Sequence, residues 1–559
     1  MPIDLVKRLF KYRHMSIFAE LIRARSADDR IALHFEDRSH TWSEVIREAE
    51  RRAALALRLR NPDRPFHIGV LLDNVPEYVF WIFAAALSGA AVVGINPTRR
   101  GAELAADIRH TDSQWLITDP EQAWRLDGLG IERGRVLLAG TPEYEADLAA
   151  AGAAPPDRSA PLPGDPLLLL FTSGSTGAPK AVICSQGRLA QIAEHGPQFG
   201  IVREAVTYIA MPLFHGNAIM ANLAMATYAG ATIVLRRRFS ASEFLPDIRK
   251  YGVTYFNYVG RALAYILATP ERPDDAANPL RDAFGTEASA RDMAEFARRF
   301  GCQVIEGYGS SEGAIGITKV PGTPPDALGL PATGTDVAIC DPGTGRECPR
   351  AEFDESGALT NGHEAIGEIV RRDAEGVFEG YYNNPVADAH RLRDGWYWSG
   401  DLGYRDKAGF FYFAGRDADW LRVDSENFAA APVERILSRY DPVVMCAVYP
   451  VPDPRTGDQV MAALEIEGDF DPRDFADFLD EQPDLGTKWA PQFVRLTPEM
   501  PLTPTNKIDK RGLRRERWEC ADPVFWRPPR EARYGPLADQ DKALLRAAFI
   551  ESGRAHLLR

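Results

Sequence analysis

The chain has 559 residues, beyond the size at which one hydrophobic core keeps growing, so a large domain with at least one smaller companion is expected. Its 65 Lys plus Arg against 79 Asp plus Glu give a formal charge of -14, which repels polyphosphate chains and excludes nucleic acid as a natural partner. The six cysteines (Cys184, Cys302, Cys340, Cys348, Cys446, Cys520) are scattered, with no CxxC pair and no His at ligand spacing. That excludes a zinc knuckle or a disulfide framework and suits reduced thiols in a cytoplasmic protein.

The first residues, MPIDLVKRLFKYRHMSIFAELI, are charged throughout and lack the apolar stretch of a secretory signal. Thr41-Trp-Ser-Glu44 has the form of a capping box, and Ile46, Ala49, Ala53 and Leu57 follow at helical spacing, so a surface helix starts there. The most hydrophobic stretch, Val79 to Ile95, is interrupted by Ser88, Gly89 and Gly94 and is short of the roughly 20 residues a spanning helix needs. It predicts a buried helix followed by a buried strand. No membrane span is expected, and peripheral membrane contact is left open.

Farther along, short apolar runs (HIGVLL at 67–72, SQWLIT at 113–118, TIVL at 232–235, QVIEGYG at 303–309) alternate with helical patterns (242–252, 291–301). That alternation predicts an α/β architecture with largely parallel sheets. From about Thr335 to Gly409 the texture changes to Gly, Pro and Asp between short β-like pieces (GEIVRR, GVFEGYY, GFFYFAG), which predicts a β-rich subdomain. Past Gly415-Arg416 an α+β pattern returns, with a helix near Asp474 to Glu481. Beyond Cys520 the chain reads as an extended arm and then an amphipathic helix from about Asp539 to Ser552.

The strongest chemical signal is DPLLLLFTSGSTGAPKAV. An apolar strand ending at Phe171 delivers Thr172, Ser173, Gly174, Ser175, Thr176 and Gly177, followed by Lys180. Glycines let backbone N–H groups approach an anion closely and the hydroxyls add donors, so this loop is built to hold a polyphosphate. It is not a Walker A loop, because no GK[ST] follows at the required spacing.

This loop resembles the signature of the AMP-binding, adenylate-forming superfamily of acyl-CoA synthetases, luciferases and peptide-synthetase adenylation domains. Three further segments fit it in order. EGYGSSEG (306–313) resembles the family's aromatic-Gly-x-Thr-Glu pattern, with Ser311 in place of Thr. The resemblance implies that Glu306, Gly307, Tyr308 and Gly309 form the nucleotide site, that Ser311 meets the α-phosphate, and that Glu312 holds Mg2+ on phosphate oxygens, as hard cations prefer carboxylates. WYWSGDLGYRDKAGFFYFAGR places Asp401 and Arg416 where the family contacts ribose. PLTPTNKIDKRGLR places the family's catalytic lysine at Lys507, with Asn506 where a Gly is usual; Asn tolerates the left-handed backbone, so the departure is mild.

MPLFHGNA resembles the segment that sets a His at the mouth of the acyl pocket, nominating His215. The segments from Phe256 to Ala262 and from Gly285 to Ser289, the latter including Thr286 and Glu287, are expected to line that pocket and the nucleotide site beside it. They are similar to steroid side-chain acid ligases, as the Ser-Glu-Asn core of 415–434 is similar to the fatty-acid transport protein branch. At the hinge, Ala418 stands where relatives carry Asp or Lys. Arg236 to Arg238 could meet CoA phosphates or form a solvated basic turn.

The resemblance implies an α/β fold: a large N-terminal domain of two α/β subdomains plus a β-rich subdomain (1–414), a small mobile α+β C-terminal domain (415–520), and an extension (521–559). It implies an ATP-dependent, AMP-forming acid:CoA ligase using ATP, CoA and Mg2+, acting on a small-molecule steroid side-chain or long-chain fatty carboxylate. The alternatives are a ligase serving a carrier protein and one for medium-chain or aryl acids. A homodimer is expected.

Overall fold

The computed structural model describes residues 16–152, 161–172, 180–259, 262–286, 288, 290–354, 359–416, 420–423, 426–455, 457–482, 485–486, 488–503, 508–528, 531 and 533–558. The chain divides into two compact units. One comprises Met1–Ala314 with Gly376–His390, the other Ile315–Glu375 with Arg391–Arg559.

The first unit holds two α/β sheets. In one, strands Gln303–Gly309, Asp282–Thr286, Tyr255–Val259, Val206–Ile209, Thr232–Leu235 and Ile31–Phe35 run parallel in that order, and Arg38–Thr41 closes the edge as a hairpin. In the other, Val136–Leu138, Trp115–Thr118, His67–Leu71, Ala91–Gly94 and Pro166–Thr172 are parallel, and Lys180–Ser185 turns back antiparallel on the last. These are the parallel sheets that the alternating pattern predicts.

The capping box is formed. Thr41 accepts from the Glu44 backbone N–H and the Glu44 carboxylate accepts from that of Thr41, starting the helix Trp42–Leu59. The apolar stretch after residue 75 is the buried helix Pro76–Ser88, ended by Gly89 at φ 75°, and then the buried strand Ala91–Gly94. Among the described residues no helix is long and apolar enough to cross a membrane.

The second unit contains the β-rich piece, an antiparallel sheet of Val337–Cys340, Gly367–Arg371, Leu392–Arg393, Trp396–Arg405 and Phe411–Arg416. It also contains a mixed sheet in the order Val443–Pro452, Asp458–Ile466, Phe493–Leu496, Val524–Trp526 and Gly535–Pro536. Alternation along its first strand sends Cys446 and Val448 to one face, against the helices Ala430–Leu437 and Pro472–Asp480. Met445, Ala447, Tyr449 and Val451 go to the other face, with Leu513, Trp518, Leu545 and Phe549.

The segment after Cys520 therefore corrects the reading of an arm. Its two strands extend the mixed sheet, and its helix Asp539–Glu551 covers that sheet's second face, with Phe549 6.1 Å from Trp518. A second correction concerns GVFEGYY, which the sequence places in the β-rich piece. Gly376–His390 returns to the first unit, where Tyr382 N–H donates to Ala181 O at 2.8 Å and Ile183 N–H to Gly380 O at 3.1 Å.

Candidate active site

The parallel direction of the first sheet puts the carboxyl ends of Val206–Ile209, Tyr255–Val259, Asp282–Thr286 and Gln303–Gly309 along one edge, where open α/β sheets bind ligands. The predicted site segments 211–218, 285–289 and 306–313 begin at or just beyond those ends. Gly285 lies opposite both Tyr258 and Glu306. A Cβ on Gly285 would stand 2.5 Å from Tyr258 O and as close to the Tyr258 ring, so only glycine lets that ring cross the strand. Glu306 Oε1 accepts from Ala288 N–H at 2.8 Å and pins the turn after Thr286. Gly307 is buried, Tyr308 half-buried and Gly309 exposed.

The phosphate-loop hairpin is formed up to its ends, with Thr172 opposite Lys180 and Phe171 opposite Ala181. Ser173, Gly174, Ser175, Thr176, Gly177, Glu287 and Lys507 lie outside the described residues, as does the hinge residue Ala418.

Ser311 and Glu312 sit in a tight turn that closes with Gly313 N–H donating to Ser310 O and with Gly313 at φ 62°. Glu312 is buried at 6% exposure, and its Oε1 accepts from the Tyr381 hydroxyl at 2.7 Å. Lys180 Nζ lies 5.7 Å from the centroid of the same Tyr381 ring. Arg188, on the buried face of the helix Gln186–Ala193, donates to Ser311 O at 2.5 Å and to Ile183 O at 3.0 Å. Glu379 accepts from both the N–H and the hydroxyl of Ser185, at 2.8 and 2.5 Å. The returning segment and Arg188 thus fasten the phosphate-loop hairpin to the turn that carries Glu312.

Sequence reasoning missed Tyr381, Glu379 and Arg188. A lone Arg on the apolar face of a short helix was the legible sign of Arg188. Tyr381 and Glu379 had none, because the chain makes a long excursion before bringing them back.

His215 caps the short helix Gly216–Ala218, its Nδ1 accepting from Asn217 N–H at 3.3 Å. A Cβ on Gly216 would be 3.3 Å from Ser311 Oγ, so the turn carrying His215 lies directly against Ser311. A one-turn π-helix, Ile219–Leu223, follows, the kind of irregularity often found beside functional sites.

Under it runs a buried amide chain. Asn257 Nδ2 donates to Asn217 Oδ1 and Asn222 Nδ2 to Asn257 Oδ1, both at 2.7 Å. Phe256 does not line a pocket as expected; at 1% exposure it packs in a core with Tyr208, Phe244 and Phe296, because alternation turns it away from Asn257. Each guanidinium of the Arg236–Arg238 turn meets a carboxylate, Asp247 at 3.1 Å, Glu36 at 3.1 Å and Asp73 at 2.9 Å, around an open cleft of about 470 Å³. This agrees with a basic surface turn.

In the second unit, strand pairing sets Asp401 directly opposite Arg416. Asp401 N–H donates to Ser399 Oγ at 3.1 Å, and Glu368, 7% exposed, accepts from Gly400 N–H at 2.6 Å, so the hairpin presenting Asp401 is braced by a buried carboxylate.

Residues 22–382 match the model of the AMP-binding enzyme family, and residues 432–507 that of the AMP-binding enzyme C-terminal domain. The chain is 52% identical over 547 residues to a steroid-22-oyl-CoA synthetase of Rhodococcus jostii (strain RHA1), covering 97% of this chain and 98% of that protein. It is 45% identical over 522 residues to the medium/long-chain-fatty-acid–CoA ligase FadD17 of Mycobacterium tuberculosis (strain ATCC 25618 / H37Rv), covering 92% and 98%. Among solved structures, ATP-bound MatB of Rhodopseudomonas palustris superposes with a TM-score of 0.78 at 21% identity, over 89% of this chain and 97% of that one, which speaks for the fold. A hairpin at Thr172 and Lys180 tied through Arg188 to the acidic turn at Glu312, a capping His against that turn, and family matches over residues 22–382 and 432–507 lead to one conclusion: the chain belongs to the AMP-binding enzyme family.

Proposed function

We propose that this chain is an ATP-dependent, AMP-forming acid:CoA ligase whose acid is a steroid side-chain or long-chain fatty carboxylate. The observation that carries the reaction type is the joining of the Thr172–Lys180 hairpin to the Ser311–Glu312 turn, with His215 against Ser311. The acid class is supported by 52% identity to a steroid-22-oyl-CoA synthetase over 97% of the chain.

A carboxylate is a poor electrophile, because attack adds negative charge to an anion. The substrate acid therefore attacks the α-phosphorus of ATP, forming an acyl-adenylate and releasing pyrophosphate. The CoA thiol then attacks the acyl carbonyl and AMP leaves with the former carboxylate oxygen. Lys180, the loop at 172–177, Ser311 and Lys507 donate to phosphate oxygens as charge gathers there. His215 borders the acyl end, and Asp401 and Arg416 hold the ribose.

Mg2+ fits the residues present. Glu312 is a hard-oxygen donor with one oxygen held by Tyr381, a single carboxylate of the kind that binds Mg2+ together with waters and substrate phosphates. When bound, Mg2+ supplies charge neutralisation on the phosphates.

In this reading an adenylation domain, 1–414, is followed by a C-terminal domain, 415–520, with the extension 521–559 built into the latter's sheet, in a cytoplasmic homodimer. The test is to incubate the purified chain with ATP, Mg2+ and CoA and each of a panel of steroid side-chain, straight-chain and aryl acids, reading CoA thioester by mass. Thioester from steroid side-chain or long-chain acids supports the proposal. Turnover confined to aryl acids, or adenylate that passes only to a carrier protein, refutes it.

A further inference from the structure

We propose that Tyr381 is a positioning residue that holds Glu312 in the orientation needed to bind the metal-nucleotide, an inference that rests on the metal role of Glu312 proposed above. Its hydroxyl donates to Glu312 Oε1 at 2.7 Å, and the two residues are 3% and 6% exposed. A carboxylate committed to a phenol through one oxygen has its side-chain torsions fixed and its second oxygen left as an acceptor, as outer partners of metal ligands do elsewhere. The Tyr381 ring is 5.7 Å from Lys180 Nζ, so one side chain touches both the acidic turn and the end of the phosphate-loop hairpin.

The backbone that carries Tyr381 is fixed on several sides. Its N–H donates to Asp388 Oδ1 at 2.7 Å, it bridges to Val182, and its neighbour Glu379 is bound by Ser185. Packing alone does not ask for the hydroxyl, since a phenylalanine would fill the same small apolar cluster of Val182, Ala387 and Phe378. The phenol is there for Glu312.

The test is calorimetric titration of ATP into the full chain, without acid or CoA, at a series of Mg2+ concentrations, for wild type, Tyr381→Phe, Glu312→Gln and the double variant. Tyr381→Phe is expected to raise the Mg2+ concentration for half-maximal ATP binding about ten-fold, the lower end of what losing a ligand's partner costs. Glu312→Gln should raise it at least as far, and the double variant should match Glu312→Gln. A wild-type Mg2+ profile for Tyr381→Phe, with only its melting temperature changed, or shifts that add in the double variant, would overturn the role of Tyr381 while leaving that of Glu312. A wild-type profile for Glu312→Gln would overturn the metal reading itself.

Discussion

Replacing Arg188 by Met keeps most of the aliphatic stem and removes the guanidinium, and the structure sets the size of the effect. Two charge-assisted hydrogen bonds disappear, to Ser311 O at 2.5 Å and to Ile183 O at 3.0 Å, from a side chain 10% exposed. Bonds from a charged donor contribute about 1.5–3 kcal/mol each. Glu379, 3.8 Å away, keeps both of its Ser185 donors and is not orphaned. The expected loss is about 3–6 kcal/mol, with Arg188→Lys losing about half because one ammonium cannot reach both carbonyls. Urea unfolding followed by tryptophan fluorescence reads the stability, and acid-dependent exchange of labelled pyrophosphate into ATP reads the site. A freed Ser311 carbonyl lets Glu312 drift, and displacement of about 1 Å costs up to 10²-fold in rate. If Arg188→Met unfolds within about 0.5 kcal/mol of wild type and exchanges pyrophosphate at the wild-type rate, the clamp between hairpin and acidic turn is not what holds the site.

Three further outcomes are expected. Phe549→Ala should cost about 3–5 kcal/mol by opening a cavity beside Trp518, and a differential scan showing an unchanged transition would mean that the last helix is dispensable. Burial pushes the Asp107 carboxyl up to about 6, against the pull of Arg99 at 3.0 Å. The unfolded chain loses that proton near the ordinary value of about 4, so the folded state keeps it longer and stability from this group falls as pH rises from about 4 to about 6. Unfolding free energies at both ends of that range should show the decline, and Asp107→Asn should flatten it; an unchanged slope would refute the assignment. Lys507→Ala should abolish acyl-adenylate formation while leaving thioester formation from a synthetic adenylate largely intact, and equal loss of both half-reactions would refute its assigned role.

What could be read from the sequence followed local physics. The capping box at Thr41, the helix Pro76–Ser88 with its glycine stop, and the strand ending at Thr172 each depend on neighbours within a few residues. Glu312 and His215 are nominated by the resemblance of EGYGSSEG and MPLFHGNA to the family's motifs, and the structure brings the turns carrying them together through Gly216 and Ser311.

Three features were not legible, each for a long-range reason. The alternation of GVFEGYY marks extended chain without saying which sheet receives it, so the return of Tyr381 to Glu312 depends on contacts 69 residues apart in sequence. Phe256 looked available for a pocket because both faces of its strand are buried, and Tyr255, Phe256, Asn257 and Tyr258 are all within 1% exposure. The strands Val524–Trp526 and Gly535–Pro536 are too short to announce themselves, and only pairing with Phe493–Leu496 makes them part of a sheet.

The central claim is that the acid's own oxygen attacks the α-phosphorus of ATP and leaves with AMP. Incubating the enzyme with an acid labelled with ¹⁸O in both carboxylate oxygens, ATP and CoA, and taking the mass of AMP and of inorganic phosphate, tests it directly. The account predicts one ¹⁸O in AMP per thioester formed and none in phosphate. Label in inorganic phosphate, or unlabelled AMP alongside thioester, would contradict it.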